Sequence, residues 1–387
     1  MDIYLDNAAT SHPKPDTVVE AVRRALTEMN GNPGRSGHRR ALEGGHAVLA
    51  CRDALSELIN APDPDEVTFC FNCTDALNLA IKGSLHRGDH VVASALEHNS
   101  VLRVLHGLQA TGQIELTLVE PLPDGAVSPE QYSAAVRRNT ALAVLTHASN
   151  VTGAVQPVAA VGQAMRQLGV RYLVDGAQAL GVLPVDVRAL SCDLYAFPGH
   201  KALLGPQGTG ALYAAGGLWL NTLREGGTGS SSDSVLQPPE RPERFESGTV
   251  NLPGIAGLRE GVKQVALHRA EYMAKERELT DALIRGLMAL PGVTVYGPVD
   301  PAGRVGVVSF NVGDLSSSQV SDWLDRAGIA VRSGLHCAPL AHRGLGTLRR
   351  GAVRASLGWA STQGDVDALL AAVAAILAGQ PPPDEPA

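Results

Sequence analysis

Paired cysteines, clustered basic charge and long apolar runs are all scarce in this sequence of 387 residues. Five cysteines are too few, and odd in number, for a disulfide framework, so a reducing cytoplasm is the expected compartment. The 32 basic residues are outnumbered by 39 acidic ones and lie scattered, which argues against a duplex-binding face. Nothing approaches the roughly 20 apolar residues that span a bilayer. The longest such run, from Ala368 to Ala378, reads as a packed helix. The opening MDIYLDNAAT has no basic stretch leading into an apolar one, so it does not read as a signal peptide. Hydrophobic residues at 44% are enough for a large buried core, and the length suits two or three domains.

What is present is alternation. Short apolar runs at 67–70, 90–94, 114–119, 142–148, 172–175, 194–197 and 209–214 read as strands, several continuous as in strands covered on both faces. Helical periodicity falls between them, at 75–86 and 158–168 for example, and ahead of them at 16–29, where Asp16 can cap, and at 39–59 across Gly44-Gly45. This pattern implies a mainly parallel sheet with right-handed crossovers. The Gly/Ser/Pro-rich stretch 226–242 reads as a loop. A long helix follows over 254–290, broken or bent somewhere inside, then strands at 293–296, 305–312, 329–332 and 352–357 with a helix at 318–327. The expected division is a large domain over 16–258, a small α+β domain from 1–15 and 259–378, and a disordered tail over 379–387.

Several segments carry chemistry. Asp175 and Gln178 close the strand YLVDGAQ, at the end of a parallel strand where ligands gather. An acid there can hold a positive ring nitrogen or simply cap a turn. Lys201 in PGHKALLGPQG sits at the mouth of the sheet, where desolvation can free its amine to form an imine; by itself it is also an ordinary surface lysine. Cys73 and Thr74 lie where a strand enters a helix, suited to a phosphate or to plain capping. Cys70 and Cys73 form one C-x-x-C, and without a second pair no zinc site is expected. His98 in ALEHNS can stack on a flat ring or fill a structural role. Cys337 lies in VRSGLHCAP, an exposed-looking turn beside Arg332 and His336 that favours thiolate, and Arg354 in VRASLG can clamp a carboxylate.

The ordered series DNAAT, CTDALN, EHNS, SNVTG, VDGAQ, GHK, ESGTVN, GLHCAP and VRAS resembles the class V (fold-type I) pyridoxal 5'-phosphate (PLP) enzymes, and within them the cysteine desulfurase and selenocysteine lyase family. The resemblance runs nearly end to end. It implies an α/β, fold-type I architecture with a seven-stranded, mainly parallel sheet and a smaller α+β C-terminal domain. It implies that Lys201 carries PLP as a Schiff base, that Asp175 pairs with the pyridinium nitrogen and that His98 stacks on the ring. Gln178 and Asn150 would meet the phenolic oxygen, and Cys73, Thr74 and His200 would line the phosphate. Thr249 would reach a partner subunit's phosphate in a homodimer. Arg354, with Arg332 and Asn150, would bind the substrate, and Cys337 would take sulfur from L-cysteine as a persulfide, leaving L-alanine. The implied setting is iron–sulfur or other sulfur metabolism, with a sulfur-acceptor protein as partner. L-selenocysteine lysis, transamination or epimerisation, and a non-catalytic sulfur-relay scaffold are the competing expectations. Pro198 stands where relatives often place a phosphate-binding Ser or Thr, which predicts one lost contact. Trp359-Ala360-Ser361-Thr362 stands where an aromatic-Asn-Thr is frequent, and the residues around Cys337 resemble a short-loop subgroup.

Overall fold

The computed structural model describes residues 3–29, 31–34, 36–230 and 233–382. The chain opens with a short strand β1 (Ile3–Tyr4) and two helices, α1 (Asp16–Thr27) and α2 (Arg39–Ile59). Alternation then begins: β2 (Val67–Cys70), α3 (Cys73–Ser84), β3 (Asp89–Ser94), α4 (Asn99–Ala110), β4 (Ile114–Val119), α5 (Pro129–Ala135), β5 (Thr140–Thr146), α6 (Val158–Gln167), β6 (Arg171–Asp175), β7 (Leu194–Pro198) and β8 (Gly210–Ala214). These seven strands form one sheet in the order β2-β8-β7-β6-β5-β3-β4. It is parallel from β7 to β4, and β8 runs antiparallel to both its neighbours. Strands β2, β7 and β8 are buried along their whole length, as expected for strands covered by helices on both faces. Within β6, Leu173 and Val174 are fully buried, each contributing about 2 kcal/mol of apolar burial.

Helix α7 (Leu252–Met288) leads from this sheet to a second one. It is continuous over 37 residues, so the break weighed as one alternative for this segment does not occur. Beyond it lie β9 (Val293–Tyr296), β10 (Val307–Val312), α8 (Ser317–Arg326), β11 (Ile329–Ala330), β12 (Arg332–Gly334), α9 (Pro339–Gly344), β13 (Ala352–Ser356) and α10 (Gln363–Leu377). The antiparallel sheet β12-β13-β10-β9 packs on a core that includes Leu283, Phe310, Val353 and Val373. The N-terminal strand joins this part, since β1 pairs with β11 and Leu5 sits in the same core. Of the expected tail, Gln380 still bonds to Ala375 and to the Trp323 indole, and 383–387 lie outside the described residues.

Other local expectations shift for identifiable reasons. Asp16 is the first residue inside α1 and caps nothing; Pro15 precedes it with its fixed φ. Gly44-Gly45 does not interrupt α2, whose packing outweighs a local propensity cost of about 1 kcal/mol per glycine. The cap of α3 is Asn72 rather than Thr74 or Asp75, accepting from the Asp75 amide. No helix among the described residues is long and apolar enough to cross a membrane.

Candidate active site

The carboxyl ends of β5, β6 and β7 open into a cleft of about 770 Å³, measured out to its open mouth. Ten of the twelve candidate residues line it: Cys73, Thr74, His98, Asn150, Asp175, Gln178, His200, Lys201, Arg332 and Arg354. They come from seven separate stretches of chain, gathered because parallel strands present their carboxyl ends at one edge.

Asp175 is the last residue of β6 and is buried. Its Oδ1 accepts from the Ala177 amide at 2.9 Å and from the Cys73 thiol at 3.6 Å. Burial pushes its pKa up, opposed by the Ala177 N–H and by the charge of Lys201. Such a carboxylate is short of a cationic partner. Gly176, next to it, is required by crowding: a Cβ there would lie 2.3 Å from the Tyr195 ring.

Lys201 follows β7 by three residues. Burial lowers its pKa, reinforced by Arg354 and Arg332 against the opposing pull of Cys73 and Asp175. The amine is thereby moved toward its nucleophilic form. The preceding carbonyl, that of His200, accepts four donors from the N-terminal segment. They are the Ser11 amide at 3.1 Å, the Thr10 and Ser11 hydroxyls at 3.1 and 3.2 Å, and Lys14 Nζ at 2.8 Å.

His98 caps α4, its Nδ1 accepting from the Ser100 amide at 3.1 Å. That lone pair fixes the neutral ring with its proton on Nε2. Burial and the cations Lys201, Arg332 and Arg354 pull its pKa down to about 4. Ser100 was not anticipated, although it lies within the EHNS segment. Its Oγ is 2.9 Å from His98 Nδ1 and 2.7 Å from Thr74 Oγ1, and it lines the cleft. A hydroxyl in the first turn after a cap was the available signal.

The end of the cleft at α3 suits a phosphate. Asn72 takes the Asp75 amide, which leaves the first amides of the helix, those of Cys73 and Thr74, for a ligand. The Cys73 thiol itself faces Asp175, so at a phosphate only its amide can serve. His200 Nδ1 is buried there without a partner among the described residues. Pro198 lines the same cleft and offers no hydroxyl, while Ser100 supplies one.

At the opposite end Arg354 is buried, its Nη2 2.8 Å from Asp6 and its Nη1 3.2 Å from the Asn150 carbonyl. Its Nε has no partner among the described residues. Asp6, the aspartate of DNAAT, is thus a second residue whose individual role the sequence did not reveal. Gln178 donates to the Ala8 carbonyl at 3.1 Å. Asn150 donates to the His336 carbonyl at 2.6 Å, which ties the cleft to the loop bearing Cys337.

Two candidates lie outside the cleft. Cys337 sits beyond its edge, partly exposed, with Sγ 3.6 Å from Nη2 of Arg332. Thr249 is exposed and lines a separate groove with Phe71, Arg224 and Glu246.

A buried carboxylate, a desolvated amine, a flanking imidazole and a helix N-terminus with an unpartnered histidine nitrogen fit a phosphorylated pyridine aldehyde. Comparison with known proteins points the same way. The family model "Aminotransferase class-V" matches residues 3–369. The chain is 35% identical to the probable cysteine desulfurase of Methanothermobacter thermautotrophicus, over 95% of this chain and 92% of that protein. It is 34% identical to the cysteine desulfurase of Cronobacter sakazakii, over 95% and 91%. Among solved structures it resembles the apo cysteine desulfurase of Thermococcus onnurineus, with a TM-score of 0.92 and 32% identity over 98% of this chain and 95% of that one.

Proposed function

The chain belongs to the class-V aminotransferase family, and from that premise we propose that it is a PLP-dependent cysteine desulfurase, converting L-cysteine to L-alanine with transfer of sulfur to Cys337. The observation that carries this reading is the joining of the two halves of the chemistry through Arg332. It lines the cleft that holds Lys201 and Asp175, and its guanidinium touches the Cys337 thiol.

PLP bound in this cleft supplies an electron sink for the substrate's Cα. Lys201 would hold it covalently, Asp175 its ring nitrogen, and the Cys73 and Thr74 amides with Thr74, Ser100 and His200 its phosphate. The residues of the chain do the rest. Arg354, kept in place by Asp6, presents its free Nε–H to the substrate carboxylate. Lys201, with its amine free, would serve as the base in the cleft for the Cα proton. His98, neutral with its proton on Nε2, adds no charge beside the ring. Cys337 then attacks the substrate sulfur. The Cβ–S bond breaks as the S–S bond forms, and the electron pair left on Cβ takes a proton, giving alanine and a Cys337 persulfide. Arg332 lies where it can steady the attacking thiolate.

Thr249 is exposed on a groove separate from the chain's own cleft, which supports a homodimer in which each copy completes the other's phosphate site. An acceptor protein for iron–sulfur or other sulfur metabolism would then take the persulfide from the partly exposed Cys337.

The test is incubation of the PLP-loaded protein with L-cysteine and mass spectrometry of the products. We expect alanine and a persulfide on Cys337, and loss of both sulfide release and that mass increment in Cys337→Ser. Desulfuration by Cys337→Ser at the wild-type rate would overturn the nucleophile assignment.

A further inference from the structure

The loop that carries Cys337 is held in a conformation its residues do not favour. His336 and Cys337 both lie in the left-handed region, at φ 49° and 56°. For residues with a Cβ this conformation is unfavourable, and it persists only where the surroundings over-determine it. Two ties are to backbone. The Cys337 carbonyl accepts from the Asn99 amide at 2.7 Å, and the His336 carbonyl accepts from Asn150 Nδ2 at 2.6 Å.

The third tie is a chain of buried rings. His336 and His342 are 2% and 0% exposed. His336 Nδ1 lies 3.1 Å from His342 Nε2, and His342 Nδ1 lies 2.8 Å from Thr347 Oγ1. At the other end His336 Nε2 lies 3.4 Å from the Arg332 carbonyl. That carbonyl can only accept, so the proton of His336 sits on Nε2 and its Nδ1 must accept. His342 therefore donates from Nε2, and its own Nδ1 accepts from the Thr347 hydroxyl. The Thr347 hydroxyl also lies 3.3 Å from the His342 carbonyl, and its single proton serves the shorter contact to Nδ1, so this arrangement satisfies each ring contact with both rings neutral. Arg354 and Arg332 stand nearby and further disfavour charge on His336. The chain ends on the backbone of Arg332, the residue whose guanidinium meets the Cys337 thiol.

We infer that His342, acting through His336, is a positioning residue for Cys337: the Thr347–His342–His336–Arg332 chain holds the left-handed loop so that the thiol stays against Arg332. This rests on the assignment of Cys337 as sulfur acceptor. Motion of about 1 Å at a reacting atom costs on the order of 100-fold in rate, so a loosened loop should be felt in sulfur transfer.

The experiment uses PLP-loaded holoenzyme carrying His342→Leu, His342→Gln or Thr347→Val. Three quantities are read: the rate of persulfide formation on Cys337 after mixing with L-cysteine, the cysteine-induced change in cofactor absorbance, and hydrogen exchange of segment 332–338. We expect His342→Leu to slow persulfide formation by about 10-fold or more and to raise exchange in that segment, with the absorbance change kept within about twofold. His342→Gln, which retains an N–H donor toward His336, should recover most of the rate. Thr347→Val, which removes only the far end, should show a smaller loss in the same direction even if His342→Leu folds poorly. Wild-type persulfide rates in both His342→Leu and Thr347→Val would overturn the inference. So would a parallel fall in absorbance change and sulfur transfer, since that marks general damage. If the wild-type protein forms no Cys337 persulfide yet the exchange pattern holds, the desulfurase assignment fails while the loop device stands.

Discussion

Asp175 is the last residue of β6, still paired with its neighbours, and Lys201 follows the paired end of β7 by three residues. Cys337 instead lies on a connection between β12 and α9 that is neither strand nor helix. The floor of the cleft takes much of its geometry from the paired, buried strands beneath it. The loop takes its geometry from individual side-chain ties to Asn150, His342 and Arg332. The first arrangement spreads its order over many ladder contacts. The second concentrates its order in a few bonds, and Cys337, the proposed nucleophile, is placed there rather than on a strand end.

The sharpest break in this comparison is Lys201→Ala. It should abolish desulfuration, by three orders of magnitude or more as is usual for a lost covalent-catalysis residue, to roughly the background rate. Visible absorption of the cofactor adduct should go with it. Hydrogen exchange of segment 332–338 should stay unchanged, because the loop does not lean on Lys201. Altered loop exchange in this variant would show that the two regions are one.

Changing pH should separate the regions less sharply. In the loop, burial pulls His336 down to about 3 and His342 to about 4, so both fold as neutral rings. The unfolded chain takes up protons near pH 6.5 and the folded one does not. Their contribution is therefore present above pH 6.5 and lost as pH falls toward 4. Floor histidines His98 and His200, each lowered to about 4, share this acid arm. The floor alone also holds Glu97, pushed up to about 8 by burial, with Ser94 and the Thr146 amide on one oxygen and no partner among the described residues on the other. Its contribution is complete below about pH 4.5 and lost as pH rises toward 8. Cofactor-free protein followed by hydrogen exchange should open in both regions on acidification, and loosen around 94–97 but not 332–338 between pH 7 and 9. Equal loosening of both on the alkaline side would contradict the assignment.

The smallest effect expected is that of Ser100→Ala. Loss of one neutral hydroxyl beside Thr74 should weaken PLP binding by about fivefold, near 1 kcal/mol, measured by absorbance titration of the cofactor-free protein. An unchanged affinity would mean that Ser100 serves only the His98 cap.

How much of this was legible before folding follows the same division. The seven strands, and the placing of Asp175 and Lys201 at their ends, could be read because buried parallel strands write continuous apolar runs punctuated by glycine. Asp6 and Ser100 were passed over individually, since a partner 348 residues away or one turn into a helix leaves no periodic trace. The outward position of Thr249 was anticipated only through family resemblance. His342 was invisible, because nothing local distinguishes a histidine wired to another ring from one facing solvent. The unbroken run of α7 shows the reverse case, where a possible break in the sequence pattern is absent from a helix packed along α1 and α2.

The four donors that converge on the His200 carbonyl have a practical corollary. All come from Thr10, Ser11 and Lys14, and the amine among them is lowered to about 8 by burial. The leading stretch of polypeptide therefore serves as a strut beneath the residue that precedes Lys201, the proposed cofactor lysine. Trimming into it, or fusing a bulky tag that pulls on it, would be an active-site perturbation made from a terminus.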